Sequence, residues 1–87
     1  MKAYVLIQTQ AGSAPVGLAL KGIPGIEATD DLTGAFDAIA MVTVESMRDL
    51  LGTVIQKIRE LPGVTRVLPA PLVRPLSRLV RIEEDAA

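Results

Sequence analysis

Cysteine and histidine are both absent from this 87-residue chain. Their absence excludes disulfides, thiolate chemistry, the usual zinc and copper ligands and any nucleophile activated by imidazole. Most enzyme classes lose their working groups with them. A surplus of positive charge is also missing, since nine Lys and Arg face ten Asp and Glu for a formal net charge of −1. Without a broad basic field, non-specific nucleic-acid binding has no electrostatic driving force, and no direct nucleic-acid contact is expected. Nor is there a long apolar run: Met1-Lys2-Ala3-Tyr4 opens directly into a strand pattern. No stretch suits a signal sequence or a membrane span, so no membrane contact is expected and residence in the cytoplasm follows by default.

What is present is apolar and repetitive. Apolar residues make up 49% of the chain. A domain of this size buries only roughly 60 to 65% of the surface its unfolded chain exposes, so self-association is the natural way to cover the remainder. The phrase Ile23-Pro24-Gly25-Ile26 returns as Leu61-Pro62-Gly63-Val64, and the same offset lays Val16 on Val54 and Leu20 on Ile58. Each copy follows a helix-like pattern and precedes a strand-like one, which reads as a duplicated supersecondary unit. The intervening Thr33-Gly34-Ala35-Phe36-Asp37 has no counterpart, and it is where function is expected to sit.

Apolar residues on both alternating sets predict a first strand over Ala3–Gln8, covered on two faces. Ser13 and Pro15 suit a helix start, and Val16, Ala19, Leu20 and Ile23 recur with helical spacing. Pro24-Gly25 stops this helix, and a second strand is expected from Ile26 to Thr33. Gly34-Ala35 fits a two-residue hairpin loop that wants positive φ at its first position, leading into a third strand over Phe36–Val44. Ser46 with Asp49 resembles a capping box, and Met47, Leu50, Leu51, Val54, Ile55, Ile58 and Leu61 trace one unbroken helical stripe. A fourth strand over Val64–Leu68 is expected to end at Pro69 and Pro71, whose missing donors suit an edge. Two βαβ halves joined by a hairpin form an α+β, ferredoxin-like βαββαβ sandwich, with a four-stranded antiparallel sheet and two helices on one face. Its other face is then bare, and a second copy stacking sheet on sheet would bury it. The expected domain is residues 1–74. Residues 75–87 form an arm or tail in which Arg78, Val80 and Ile82 alternate imperfectly with Leu79 and Arg81.

Asp37 is the leading candidate for ligand contact. It follows a glycine turn whose backbone N–H groups could face a ligand carboxylate while its own carboxylate takes an ammonium. Equally, a hairpin aspartate can simply bond nearby backbone. Asp30-Asp31 makes a poor carboxylate pair, because neighbouring strand residues point to opposite faces. Arg66, with Arg74, Arg78 and Arg81, could meet an anionic ligand or a subunit, or be a solvated edge. Met41 and Met47 read as core or interface filler. Gly12, Gly17 and Gly22 lack the spacing of a phosphate loop.

Tyr4-Val5-Leu6-Ile7, the Ile23-Pro24-Gly25-Ile26 turn, Leu32 to Ile39 and Leu61-Pro62-Gly63-Val64-Thr65-Arg66 together resemble the effector-binding (RAM) domain of the Lrp/AsnC family of transcription regulators. The resemblance covers about residues 3–73. It implies the βαββαβ fold, dimers paired through their sheets, and higher rings such as octamers. It also implies amino-acid effectors bound between dimers near a Gly-x-Tyr/Phe-Asp hairpin, here Gly34-Ala35-Phe36-Asp37. On that basis Leu32, Thr33, Gly34, Ala35, Phe36 and Asp37 are expected to line a ligand site, with Thr65 and Arg66 contributed by a neighbouring segment. No metal, cofactor or catalytic residue is implied. Full regulators of that family carry a helix-turn-helix before this domain, whereas here the first strand begins at Ala3, so a stand-alone form is expected. Phe36 also lacks a tyrosine's hydroxyl, and Pro69, Pro71 and the charged tail depart from the family's ending.

The leading expectation is therefore a cytoplasmic, non-enzymatic domain that binds a small amino acid or related metabolite, oligomerises, and modulates full-length regulators by mixed assembly. Two alternatives stand beside it. One is a purely structural assembly partner without ligand, docking through its arginine-rich tail. The other is a small enzyme on a ferredoxin-like dimer, whose acid and base groups would be carboxylates, lysines and Tyr4.

Overall fold

The computed structural model describes residues 1–72. Its elements are β1 (Lys2–Thr9), α1 (Gly17–Lys21), β2 (Ile26–Asp31), β3 (Ala38–Thr43), a helical segment of α2 (Met47–Asp49), a π-helical turn (Leu50–Val54) and α3 (Ile55–Arg59), and then β4 (Val64–Pro71). The strands form one antiparallel sheet in the order β2-β3-β1-β4. This is the ferredoxin-like α+β sandwich that the pattern predicts. The expected boundary after residue 74 and the arm at 75–87, with Arg74, Arg78 and Arg81, lie outside the described residues.

Alternation along the central strands divides the sheet into two unlike faces. Ala3, Val5 and Ile7 of β1 and Ala38, Ala40 and Val42 of β3 are buried, together with Leu20 of α1 and Leu50, Val54, Ile55 and Ile58 of the second helical segment. The opposite face carries Tyr4 and Leu6 of β1, Ile39 and Met41 of β3 and Leu68 of β4. Across the ladders Leu6 stands between Ile39 and Leu68, and Tyr4 between Met41 and Ala70. None of these five is buried. Among the described residues no helix covers this face, as expected.

The duplicated phrase builds the same turn twice. Ile26 N–H donates to the Ile23 carbonyl at 3.2 Å and Val64 N–H to the Leu61 carbonyl at 3.3 Å. Proline is second in each turn, and the glycines that follow have φ of +98° at Gly25 and +86° at Gly63, the geometry of a type II turn. Each glycine carbonyl then ties its turn to a neighbouring segment, Gly25 accepting from Thr43 N–H at 2.9 Å and Gly63 from Gln10 N–H at 2.7 Å. At Gly63 space is also limiting, since an added Cβ would lie 2.6 Å from the Ser13 hydroxyl.

Several boundaries differ from expectation, each for a local reason. The first helix is confined to Gly17–Lys21, and its cap position is Val16, without a side-chain hydrogen bond. Ser13 and Pro15 stay in the preceding loop, where Ser13 packs against Gly63. The unbroken second stripe is interrupted: Ser46 caps Asp49 N–H as predicted, but the π turn at Leu50–Val54 inserts an extra residue. That turn contains Gly52, a weak helix former, and within it Leu51 is 45% exposed while Leu50 and Val54 stay buried; Met47, ahead of it, is 43% exposed.

β4 does not stop at Leu68 but runs through both prolines to Pro71. Leu72 N–H donates to the Lys2 carbonyl at 3.0 Å, which fixes the alternation of the β1–β4 ladder. Residues 68, 70 and 72 therefore turn their N–H groups toward β1, while Pro69 and Pro71 turn their nitrogens to the free edge. Neither proline removes a ladder bond, so the strand continues, and the edge position expected for it stands.

Candidate functional site

The unrepeated segment forms a wider loop than the two-residue hairpin expected. β2 ends at Asp31 rather than Thr33, and β3 starts at Ala38 rather than Phe36. Leu32 N–H donates to the Asp37 carbonyl at 2.9 Å, closing a four-residue loop of Thr33, Gly34, Ala35 and Phe36. Gly34 does adopt the positive φ anticipated, +113°. Asp37 is also held by β1. Its N–H donates to the Ile7 carbonyl at 2.9 Å, and its Oδ2 accepts from Thr9 N–H at 2.7 Å. The Leu32–Asp37 pair keeps the register of a turn centred on Gly34-Ala35, and it is Thr33 and Phe36 that stay unpaired. The Asp37 carboxylate caps the end of β1.

A second tie comes from Gln8, whose Nε2 donates to the Ala35 carbonyl at 2.9 Å. On β4, Arg66 lies opposite Gln8, and its guanidinium sits over the Phe36 ring, 5.8 Å from the centroid. Thr65 donates its hydroxyl to the Gln8 carbonyl at 3.2 Å. The loop and the β4 residues assigned to a neighbouring segment thus meet within one chain, through Gln8. Gln8 was not among the sequence candidates; in sequence it is simply the polar end of an apolar strand.

Two hollows flank this end of the sheet. One, of about 300 Å³, is lined by Thr9, Ser13, Ala14, Pro15, Val16, Asp31 and Asp37. The sequence dismissed Asp31 as a partner for Asp30, and the register agrees, since Asp30 faces Ile39 and Asp31 faces Ala38. It also brings Asp31 and Asp37 to the same hollow, a pairing that depends on where the loop closes. Two exposed carboxylates there favour a cation such as an ammonium group and repel a carboxylate. The other hollow, of about 390 Å³, is lined by Arg59, Val64, Thr65, Arg66 and Val67 on the β4 edge. Among the described residues no group of three or more His, Cys, Asp or Glu is arranged to hold a metal ion, and no helix is long and apolar enough to cross a membrane.

The family model described as the Lrp/AsnC ligand binding domain matches residues 2–69. A comparison with curated proteins found no match. Among solved structures, TTHA0845 from Thermus thermophilus superposes with a TM-score of 0.75 at 28% identity, over 85% of this chain and 94% of that one. The hypothetical protein PHS023 from Pyrococcus horikoshii gives a TM-score of 0.66 at 27% identity, over 82% and 89%. The transcriptional regulator NMB0573 from Neisseria meningitidis, in its complex with L-Met, gives 0.73 over 90% of this chain and 58% of that one. At 15% identity that last likeness is one of fold.

Proposed function

The chain belongs to the Lrp/AsnC ligand binding domain family, and from that membership we propose that it is a non-enzymatic domain that binds a small amino acid or related metabolite and couples binding to assembly. The observation that carries this reading is the loop at residues 32–37. It is exposed at Thr33, Gly34 and Ala35 yet tied to β1 by Asp37 and Gln8. Such a loop offers backbone N–H groups at fixed positions, and fixed donors bind a small anion or zwitterion with less ordering cost than free ones.

In this reading Leu32 to Asp37 line the ligand site, with Asp31 added to them. The ammonium is taken by the carboxylates of Asp31 and Asp37. One oxygen of Asp37 is already bonded to Thr9, which orients the other. The open sheet face pairs with that of a second copy, and loops of adjacent dimers enclose the ligand in a higher ring. Ligand then shifts assembly only by binding one state better than another. A full-length regulator presenting the same sheet face is the natural mixed partner, which gives the domain a regulatory output.

Light scattering of the purified protein, repeated with each common amino acid at millimolar concentration, tests this directly. One or a few amino acids, L-methionine included in the panel, should change the mass distribution, and calorimetry should show the binding. Asp37→Ala should weaken that binding while leaving the dimer intact. Indifference to every amino acid would leave a structural assembly partner as the better reading.

A further inference from the structure

The two edges of the sheet offer different chemistry to another strand. At the β4 edge Pro69 and Pro71 turn outward nitrogens that carry no hydrogen, by the ladder alternation fixed at Leu72. The β2 edge has no proline. Thr43 N–H donates to the Gly25 carbonyl and Leu32 N–H to the Asp37 carbonyl, so Ile39 and Met41 of β3 turn toward β2 and meet Asp30 and Ala28 as bonded pairs. Thr29 and Asp31 therefore point their N–H and C=O groups to the free edge, a short ladder open to an added strand.

Charge and shape narrow what that strand can be. β2 carries Glu27, Asp30 and Asp31, all exposed, and no basic residue. Their repulsion disfavours a second β2 lying alongside, and the prolines leave the edge of a second β4 short of donors. The acidic groups occupy both sides of the sheet. Asp31 and Thr29 lie opposite the buried Ala38 and Ala40, on the helix side, and a Cβ placed on Gly17 would be 3.9 Å from an oxygen of each. Asp30, opposite Ile39, lies on the open side. Along the helix side of this edge runs a hollow of about 390 Å³ lined by Pro15, Gly17, Leu18, Lys21, Thr29 and Asp31. Leu18 on its wall is 86% exposed, the most exposed large apolar side chain among the described residues.

We infer that the β2 edge is a docking site for residues 76–82 of a second copy of this chain, which read Leu-Ser-Arg-Leu-Val-Arg-Ile. The segment follows Pro75 and contains no proline, so each of its residues can pair. Successive strand residues alternate between faces, which puts Arg78 with Val80 and Ile82 on one face and Arg81 with Leu79 on the other. Either way up, an arginine reaches the acidic side chain on each side of the edge, and an apolar side chain enters the hollow beside Leu18. Supply from the same copy is disfavoured by reach. Leu72 ends beside Lys2 at the far edge, and a strand outside β2 lies four strand spacings away, about 19 Å. Six fully extended steps from Leu72 to Arg78 span about 20 Å, which leaves no slack to pass the Gly25 turn and Val44 at that end of the sheet. The inference goes beyond the amino-acid reading and shares only Asp31 with it.

Amide hydrogen exchange of the full chain without any amino acid, quenched and read by NMR in a denaturing solvent, is the test. Thr29 and Asp31 N–H should be protected, and should exchange at least about tenfold faster in the double variant Arg78→Glu/Arg81→Glu. Ala28 and Asp30, bonded to β3, should stay slow in both, which shows that the variant is folded. When isotopically labelled variant is refolded with an excess of unlabelled parent protein, its Thr29 and Asp31 should regain protection, because its own β2 is intact and the parent's segment can occupy it. Fast exchange of Thr29 and Asp31 in the parent protein, protection that survives the double charge reversal, or no recovery on mixing would each overturn the proposal. Protection in a protein that ignores every amino acid would support it while removing the amino-acid reading, so the two fail separately.

Discussion

The two faces of one sheet, built from alternate residues of the same strands, could hardly be less alike. Toward the helices β1 and β3 present Ala3, Val5, Ile7, Ala38, Ala40 and Val42, three of them alanines and all at 0% exposure. Away from the helices they present Tyr4, Leu6, Ile39 and Met41, longer side chains that are only partly buried. Small residues let short helices lie close to the strands, so the first face is closed within one copy. Long residues on the second face reach outward from the single copy. The first face makes the fold, and the second is proposed to contact another copy. The 32–37 loop joins them at the sheet's end, its Asp37 turned to the hollow beside α1 and its Phe36 lying under Arg66.

The largest effect should come from the closed face. Ile58 is completely buried beneath the sheet, and Ile58→Ala removes buried methyl and methylene groups while leaving a cavity that rigid neighbours only partly fill. A loss of about 2–5 kcal/mol is expected from chemical denaturation. For a domain this small that is a large share of its total stability. A cost below about 1 kcal/mol would mean that α3 contributes little to closing this face.

What could be read from the chain follows the same division. The closed face was legible because its residues obey two clean periods, two along the strands and three to four along the helices, and because the Pro-Gly turn is written twice. Even the proline edge was legible, though not that Pro69 and Pro71 fall on alternate positions facing away from β1. Hidden from the sequence was whatever depends on a single residue of offset. The π turn moves Leu51 off a stripe that looks continuous in sequence. The tie of the loop to β1 rests on the Asp37 carboxylate bonding to Thr9, a contact 28 positions away along the chain. Gln8, Asp31 and Arg59 were missed at the candidate sites for the same reason: each acquires its neighbours only once the register and the loop closure are set.

A smaller effect on stability, but a decisive one on mass, is expected from the open face. Leu6 lies at its centre between Ile39 and Leu68, and Leu6→Asp places a charge where a second sheet would have to dehydrate it. Light scattering should then report a monomer, against a dimer or larger species for the unchanged chain. Because Leu6 is not buried within one copy, unfolding of the separated monomer should shift by only about 1 kcal/mol. A variant that keeps the mass of the parent protein would show that assembly, if it occurs, uses some other surface.

The smallest effect belongs to the seam between the faces. Arg66 lies 5.8 Å from the Phe36 ring centroid, and both groups are at least partly exposed, so water weakens their attraction. Phe36→Leu keeps an apolar side chain but removes the ring's negative face, and Arg66→Met keeps the aliphatic stem but removes the charge. In a double-mutant cycle these two changes should show a coupling of about 0.5 kcal/mol, while Phe36→Tyr, which retains a ring, should preserve it. The sign matters more than the size. A favourable coupling means that the loop is held to β4 as well as to β1, so that an event at Arg66 is felt at residues 33–36. Zero coupling means that the loop hangs from β1 alone, through Asp37 and Gln8, and that the two hollows at this end of the sheet act independently.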